Sequence, residues 1–135
     1  MNNNEFIKNP QLDGDDFFMQ GNSTGILLIH GFTATTTEVR LMADKLHQSG
    51  FTTTGPLLPG HGTHPDDLNR VKWPMWVEKV KKTYESLLEN CQQVYVIGES
   101  MGCLLAIELA AQHPEIAGLM LFAPVSYTHL TLPTK

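Results

Sequence analysis

Basic charge is scarce in this chain. Nine Lys and Arg stand against fourteen Asp and Glu, a formal net charge of −5. A nucleic-acid surface needs a clustered basic face, so the composition argues against that class of partner. Cysteine is scarcer still. Cys91 and Cys103 show neither metal-ligand spacing nor a disulfide framework, so two buried free thiols and a cytoplasmic compartment are expected. Long apolar runs are also missing. The N-terminus, Met1-Asn2-Asn3-Asn4-Glu5, has no apolar signal region, and no stretch reaches the ~20 residues of a membrane span.

What is present is a series of short apolar runs separated by helix-like segments. With 135 residues and 41% apolar content, the chain is one domain or part of one. Gly25-Ile26-Leu27-Leu28-Ile29 and Gln93-Val94-Tyr95-Val96-Ile97 read as buried parallel strands. Residues 51–54 and 116–122 are strand-like too, the latter with Gly118 inside it. Thr35-x-x-Glu38 has the form of a capping box opening a helix that stops at Gly50. Trp73, Trp76, Val77, Val80, Tyr84, Leu87 and Leu88 recur at helical spacing and are expected to be core. Residues 1–16 read as a loose, polar, Asp-rich lead-in.

The most specific stretch is Gly98-Glu99-Ser100-Met101-Gly102. It follows a buried strand and precedes an Ala- and Leu-rich helix that Pro114 closes. Strand, Gly-x-Ser-x-Gly and helix together lift a serine hydroxyl onto a sharp turn, while two glycines remove Cβ atoms where strand and helix converge. The free N–H groups at the helix start then face that serine and suit a developing oxyanion.

Further motifs stand in a fixed order around it: Phe17-Phe18-Met19, the strand ending in His30-Gly31-Phe32, and the loop Pro59-Gly60-His61-Gly62. In that order the chain resembles the first half of an α/β-hydrolase, and within that superfamily the small bacterial carboxylesterases and monoacylglycerol lipases. The resemblance implies an α/β fold: the N-terminal part of a three-layer α/β-hydrolase with a mostly parallel sheet, ending after the strand at 116–122. It implies Ser100 as nucleophile, the backbone N–H groups of Phe32 and Met101 as oxyanion hole, and His30, Gly31, Gly98 and Gly102 as supporting loop residues. His61 is expected to be structural. The substrate would be a small acyl ester, and no cofactor or metal is implied.

Two readings from other classes stand beside this one. His61 and His64, with Asp66 and Asp67, could be taken for a metallohydrolase site, although their spacing matches no established signature; one of the two aspartates more simply caps the turn before Leu68. An α/β-hydrolase-like binding protein without chemistry is the other.

The family's remaining triad members, an Asp or Glu and then a His, come after the serine. No plausible pair follows here, so the chain as written is expected to be inactive. Val125-Ser126-Tyr127-Thr128-His129-Leu130-Thr131-Leu132-Pro133-Thr134 resembles a translated sequencing adapter. Residues 125–135 are therefore read as a non-native tail, His129 is not counted as the missing base, and residues 17–124 form the partial domain. The strand at 116–122 would then be an uncovered edge.

Overall fold

The computed structural model describes residues 13–124; the expected tail at 125–135 and most of the lead-in lie outside the described residues. The elements run β1 (Phe17–Met19), β2 (Thr24–Ile29), α1 (Thr37–Gln48), β3 (Thr52–Gly55), a 3-10 helix (Pro65–Arg70), α2 (Trp73–Leu88), β4 (Gln93–Glu99), α3 (Gly102–Gln112) and β5 (Gly118–Phe122). The strands form one sheet in the order β1-β3-β2-β4-β5. β1 pairs antiparallel with β3, and the other pairings are parallel.

Strand alternation divides the core into two layers. Leu27 and Ile29 point to one face with Val94 and Val96, and pack against Val80, Tyr84 and Leu87 of α2 and Leu105, Ala106 and Leu109 of α3. Ile26 and Leu28 point to the other face, against Val39 and Ala43 of α1, with Phe17 and Ile97. This is the three-layer arrangement expected. From β2 the chain leaves through α1 to β3 on one side; β4 arrives on the other side through α2. The carboxyl ends of β2 and β4 therefore flank the point where strand order reverses, where open α/β sheets form crevices.

Four local expectations are corrected. The capping box does not form: the N-cap of α1 is Thr36, without a side-chain cap, and Glu38 bonds elsewhere. Neither Asp66 nor Asp67 caps the 3-10 helix; the ring of His64 accepts the Asp66 N–H at 3.0 Å, while Asp67 accepts from the Thr63 hydroxyl. The stripe on α2 is core at Trp76, Val80, Tyr84 and Leu87, but Trp73, in the first turn, and Leu88, turned about 100° around the helix from the buried Leu87, are exposed. The last stretch of the lead-in is anchored rather than loose. Thr37 Oγ1 donates to the Asp13 carbonyl at 2.9 Å, Leu57 N–H donates to Asp16 Oδ1 at 2.6 Å, and Lys79 pairs with Asp16.

Both cysteines are buried and free, as expected. The thiol of Cys103 donates to the carbonyls of Gly98 and Phe122, and burial pushes its pKa up. No helix among the described residues is long and apolar enough to cross a membrane.

Candidate active site

Ser100 occupies the turn between β4 and α3 with φ +54°, a left-handed conformation that is costly for a residue with a Cβ. The surroundings over-determine it. Its N–H donates to the Phe122 carbonyl at 2.9 Å, and its carbonyl accepts from Cys103 N–H at 3.0 Å. A Cβ on Gly102 would lie 2.2 Å from the Ile29 carbonyl oxygen, so α3 can begin this close to the end of β2 only with glycine there. Gly98 is similarly closed off by the backbone of Gly102 and Cys103. Sequence spacing thus translates directly into a serine held on a strained, rigid turn.

The end of β2 supplies the opposite wall. A Cβ on Gly31 would sit 3.1 Å from Ser100 Cβ, which places the His30-Gly31-Phe32 loop directly against the serine. His30 is fully buried. Its Nδ1 lies 2.8 Å from the Gly31 carbonyl and its Nε2 accepts the Leu58 N–H at 3.0 Å. A carbonyl can only accept, so Nδ1 carries the proton and His30 is held as a single neutral tautomer. Burial accordingly pushes its pKa down to about 4, against a smaller opposing contribution from the Gly31 carbonyl.

An aromatic cluster backs this loop. His61 is buried beside His30, with ring centroids 4.9 Å apart, and the Phe32 ring packs edge-on to His61 and Trp76. The Pro59 carbonyl accepts from Trp76 Nε1 at 2.8 Å and from His61 Nδ1 at 3.2 Å. Burial lowers the pKa of His61, in keeping with a neutral ring. Phe32 itself remains half exposed and offers an apolar wall beside Ser100.

Among the described residues, the N–H groups of Phe32 and Met101 and the hydroxyl of Ser100 have no hydrogen-bond partner. Three groups that chemistry could use are thus left unclaimed within one corner of a densely bonded frame. No described histidine is placed to serve Ser100 as a base. His30 and His61 are locked in the core, His47 lies in the last turn of α1 with Nε2 3.0 Å from the Gln20 carbonyl, and His64 caps the 3-10 helix. His113 lies beyond the far end of α3, roughly 16 Å of helix away, with Nδ1 3.1 Å from Glu115. No three His, Cys, Asp or Glu side chains among the described residues come together in a way that could hold a metal ion, and His61 and His64 point to separate partners.

Sequence reading missed the contacts that hold the loop from behind. Glu38 Oε1 accepts the Gly31 N–H at 2.8 Å, and nothing in its spacing distinguishes that from a capping role. The Trp76 bond had a readable signal, since a buried indole N–H needs a partner, but its partner lies 17 residues away in a loop.

Residues 20–135 match the family described as serine aminopeptidase, S33. The chain belongs to that family. A thermostable monoacylglycerol lipase of Bacillus sp. (strain H-257) is 39% identical over 112 residues, covering 82% of this chain and 45% of the relative. A carboxylesterase of Bacillus subtilis (strain 168) is 31% identical over 99 residues, 73% of this chain and 40% of the relative. Among solved structures, one of the metagenome-derived lipolytic enzymes LipS and LipT superposes with a TM-score of 0.80 at 30% identity, over 83% of this chain and 46% of that one. A soluble variant of the monoglyceride lipase of Saccharomyces cerevisiae shares the fold at a TM-score of 0.72 and 23% identity, over 88% of this chain and 44% of that one. The S33 chain described here is therefore an α/β-hydrolase of esterase and lipase kinship, and it spans less than half the length of these relatives.

Proposed function

We propose that this chain is the nucleophile-bearing part of a longer serine hydrolase that cleaves small carboxylic esters, of carboxylesterase or monoacylglycerol lipase type. The observation that carries the reading is Ser100 in a left-handed turn at the sheet's switch point, against the Gly31 loop, with the neighbouring N–H groups of Phe32 and Met101 unclaimed among the described residues. The names of the two bacterial relatives support an ester as substrate.

In this mechanism Ser100 Oγ attacks the ester carbonyl and gives its proton to a histidine oriented by an acid. The carbonyl electrons move onto oxygen, where the N–H groups of Phe32 and Met101 meet the developing charge. Loss of one such donor typically costs about 3–4 kcal/mol of barrier. The histidine returns the proton to the leaving alcohol, and water then releases the acyl group by the same steps reversed. His30 and Gly31 shape the oxyanion loop, and Gly98 and Gly102 let the turn close. No base stands beside Ser100 among the described residues, so the histidine and acid of this relay are expected from outside them. Two buried free thiols accord with a reducing, cytoplasmic setting.

The test is covalent labelling with a fluorophosphonate. The full-length protein is expected to label at Ser100 and to hydrolyse p-nitrophenyl butyrate, with a loss of about 10⁶ in kcat on Ser100→Ala. The 135-residue chain is expected neither to label at a comparable rate nor to turn over. A full-length protein that folds but does not label would instead be a binding protein on this fold.

A further inference from the structure

We infer that Glu38 is a positioning residue for the oxyanion hole, acting through the Gly31 peptide; the inference rests on the hydrolase reading above. Its carboxylate is the group that sequence spacing assigns to a helix cap. The structure instead carries it back seven residues to accept the Gly31 N–H at 2.8 Å.

Between β2 and the Phe32 N–H stand two peptide planes joined at Gly31. Each plane is rigid, so only the two dihedrals of that glycine can reorient one against the other. The second plane contains the Gly31 carbonyl and, anti to it, the Phe32 N–H. That carbonyl accepts from His30 Nδ1 at 2.8 Å and from Ala34 N–H at 3.2 Å, so the direction of the Phe32 N–H is set. The first plane contains the Gly31 N–H, and Glu38 is its partner. A carboxylate acceptor gives a charge-assisted bond, stronger than a neutral one. Glu38 therefore fixes one side of the glycine while His30 and Ala34 fix the other. Without it the Gly31 N–H loses its partner, one of the two anchors of the glycine is gone, and the Phe32 N–H is held only through the bonds to the Gly31 carbonyl, a looser hold on the place where the oxyanion forms. The neighbouring Thr33, at φ +66°, adds to the strain the loop would release.

Glu38 lies in the first turn of α1 and stays largely in solvent, so its replacement removes no core contact. The experiment compares the full-length wild type with Glu38→Ala and Glu38→Gln on p-nitrophenyl butyrate. Glu38→Ala is expected to lower kcat about 10–100-fold with KM changed less than about threefold, since misplacement of a catalytic group by ~1 Å costs on this order. Glu38→Gln keeps an acceptor oxygen and is expected to remain within about fivefold of wild type. Melting temperatures should not follow these rates.

Wild-type kcat in Glu38→Ala would overturn the proposal, as would equal losses in Ala and Gln. So would a loss that appears in KM or tracks melting temperature. Amide exchange at Gly31 separates this from failure of the hydrolase reading. Protection there should fall in Glu38→Ala whether or not the protein cleaves esters, and unchanged exchange would sink the positioning role alone.

Discussion

β4 and β5 are neighbouring parallel strands, both rich in apolar residues, and they meet different surroundings. β4 lies between β2 and β5, with α3 packed on one face and Ile97 reaching the α1 layer on the other; Val94, Val96 and Ile97 are at most 5% exposed. β5 is the sheet edge among the described residues, and its Leu119, Met120, Leu121 and Phe122 are each at least 36% exposed. Composition makes a strand fit for burial, but its place in the sheet decides whether burial happens. The proposed chemistry follows the same division. Ser100 holds a strained conformation at the end of β4, where strands, helix and loop converge, and strain persists only in such over-determined surroundings.

The largest test of this contrast is to express residues 1–124 alone beside the full-length protein. The exposed apolar edge at β5 is a template for aggregation. The segment is expected to be insoluble or molten, with ANS binding and no cooperative melt. A sharp thermal transition with dispersed NMR spectra would show that the β2–β4 centre holds β5 in place unaided.

A finer test places one methyl group in each region, in the full-length protein. Gly102→Ala drives a Cβ to 2.2 Å from the Ile29 carbonyl oxygen, backbone against backbone, and is expected to cost about 3 kcal/mol or more. Gly118→Ala brings a Cβ to 3.1 Å from the ring of Tyr95, a side chain exposed enough to swing aside. That change is expected within about 1 kcal/mol of neutral. Urea midpoints measure both, and equal losses would erase the distinction.

The frame of this molecule could be read from residues 25–29 and 93–102, because continuous apolar runs and glycine spacing encode strands and a tight elbow locally. What could not be read depends on partners distant in sequence or on competing local uses of one residue. His30 owes its fixed tautomer to the Leu58 N–H, 28 residues on. Glu38 satisfies a capping pattern equally well, and only the loop's path around Thr33 returns it to Gly31. Trp73 shares the helical spacing of its buried neighbours, but how far burial extends along α2 is a property of the packed layers, not of the stripe. The cap on the 3-10 helix fell to His64 because an extended residue before Pro65 turns its ring onto the Asp66 N–H, a use of histidine that composition does not announce.

A last test separates the two regions by pH. His30 is buried at the end of β2, and its pKa falls from 6.5 in the unfolded chain to about 4 in the fold. Between these values the unfolded state takes up the proton more readily, so stability rises with pH across the window and is lost as pH falls from about 6.5 to 4. Below about 4 both states are protonated and the loss levels off. For a fully buried ring the shift corresponds to about 3 kcal/mol, and His61, lowered by burial as well, adds in the same direction. Urea titrations of the full-length protein at pH 7, 6, 5 and 4 should show that slope in the wild type and a reduced slope in His30→Asn, which gives up stability at pH 7 but has no proton to gain. Substitutions confined to β5, such as Met120→Ala, should leave the slope unchanged, because no histidine lies in that strand. Parallel curves for wild type and His30→Asn would mean that the proton is taken up elsewhere and that His30 is not the pH-sensitive support of the loop beside Ser100.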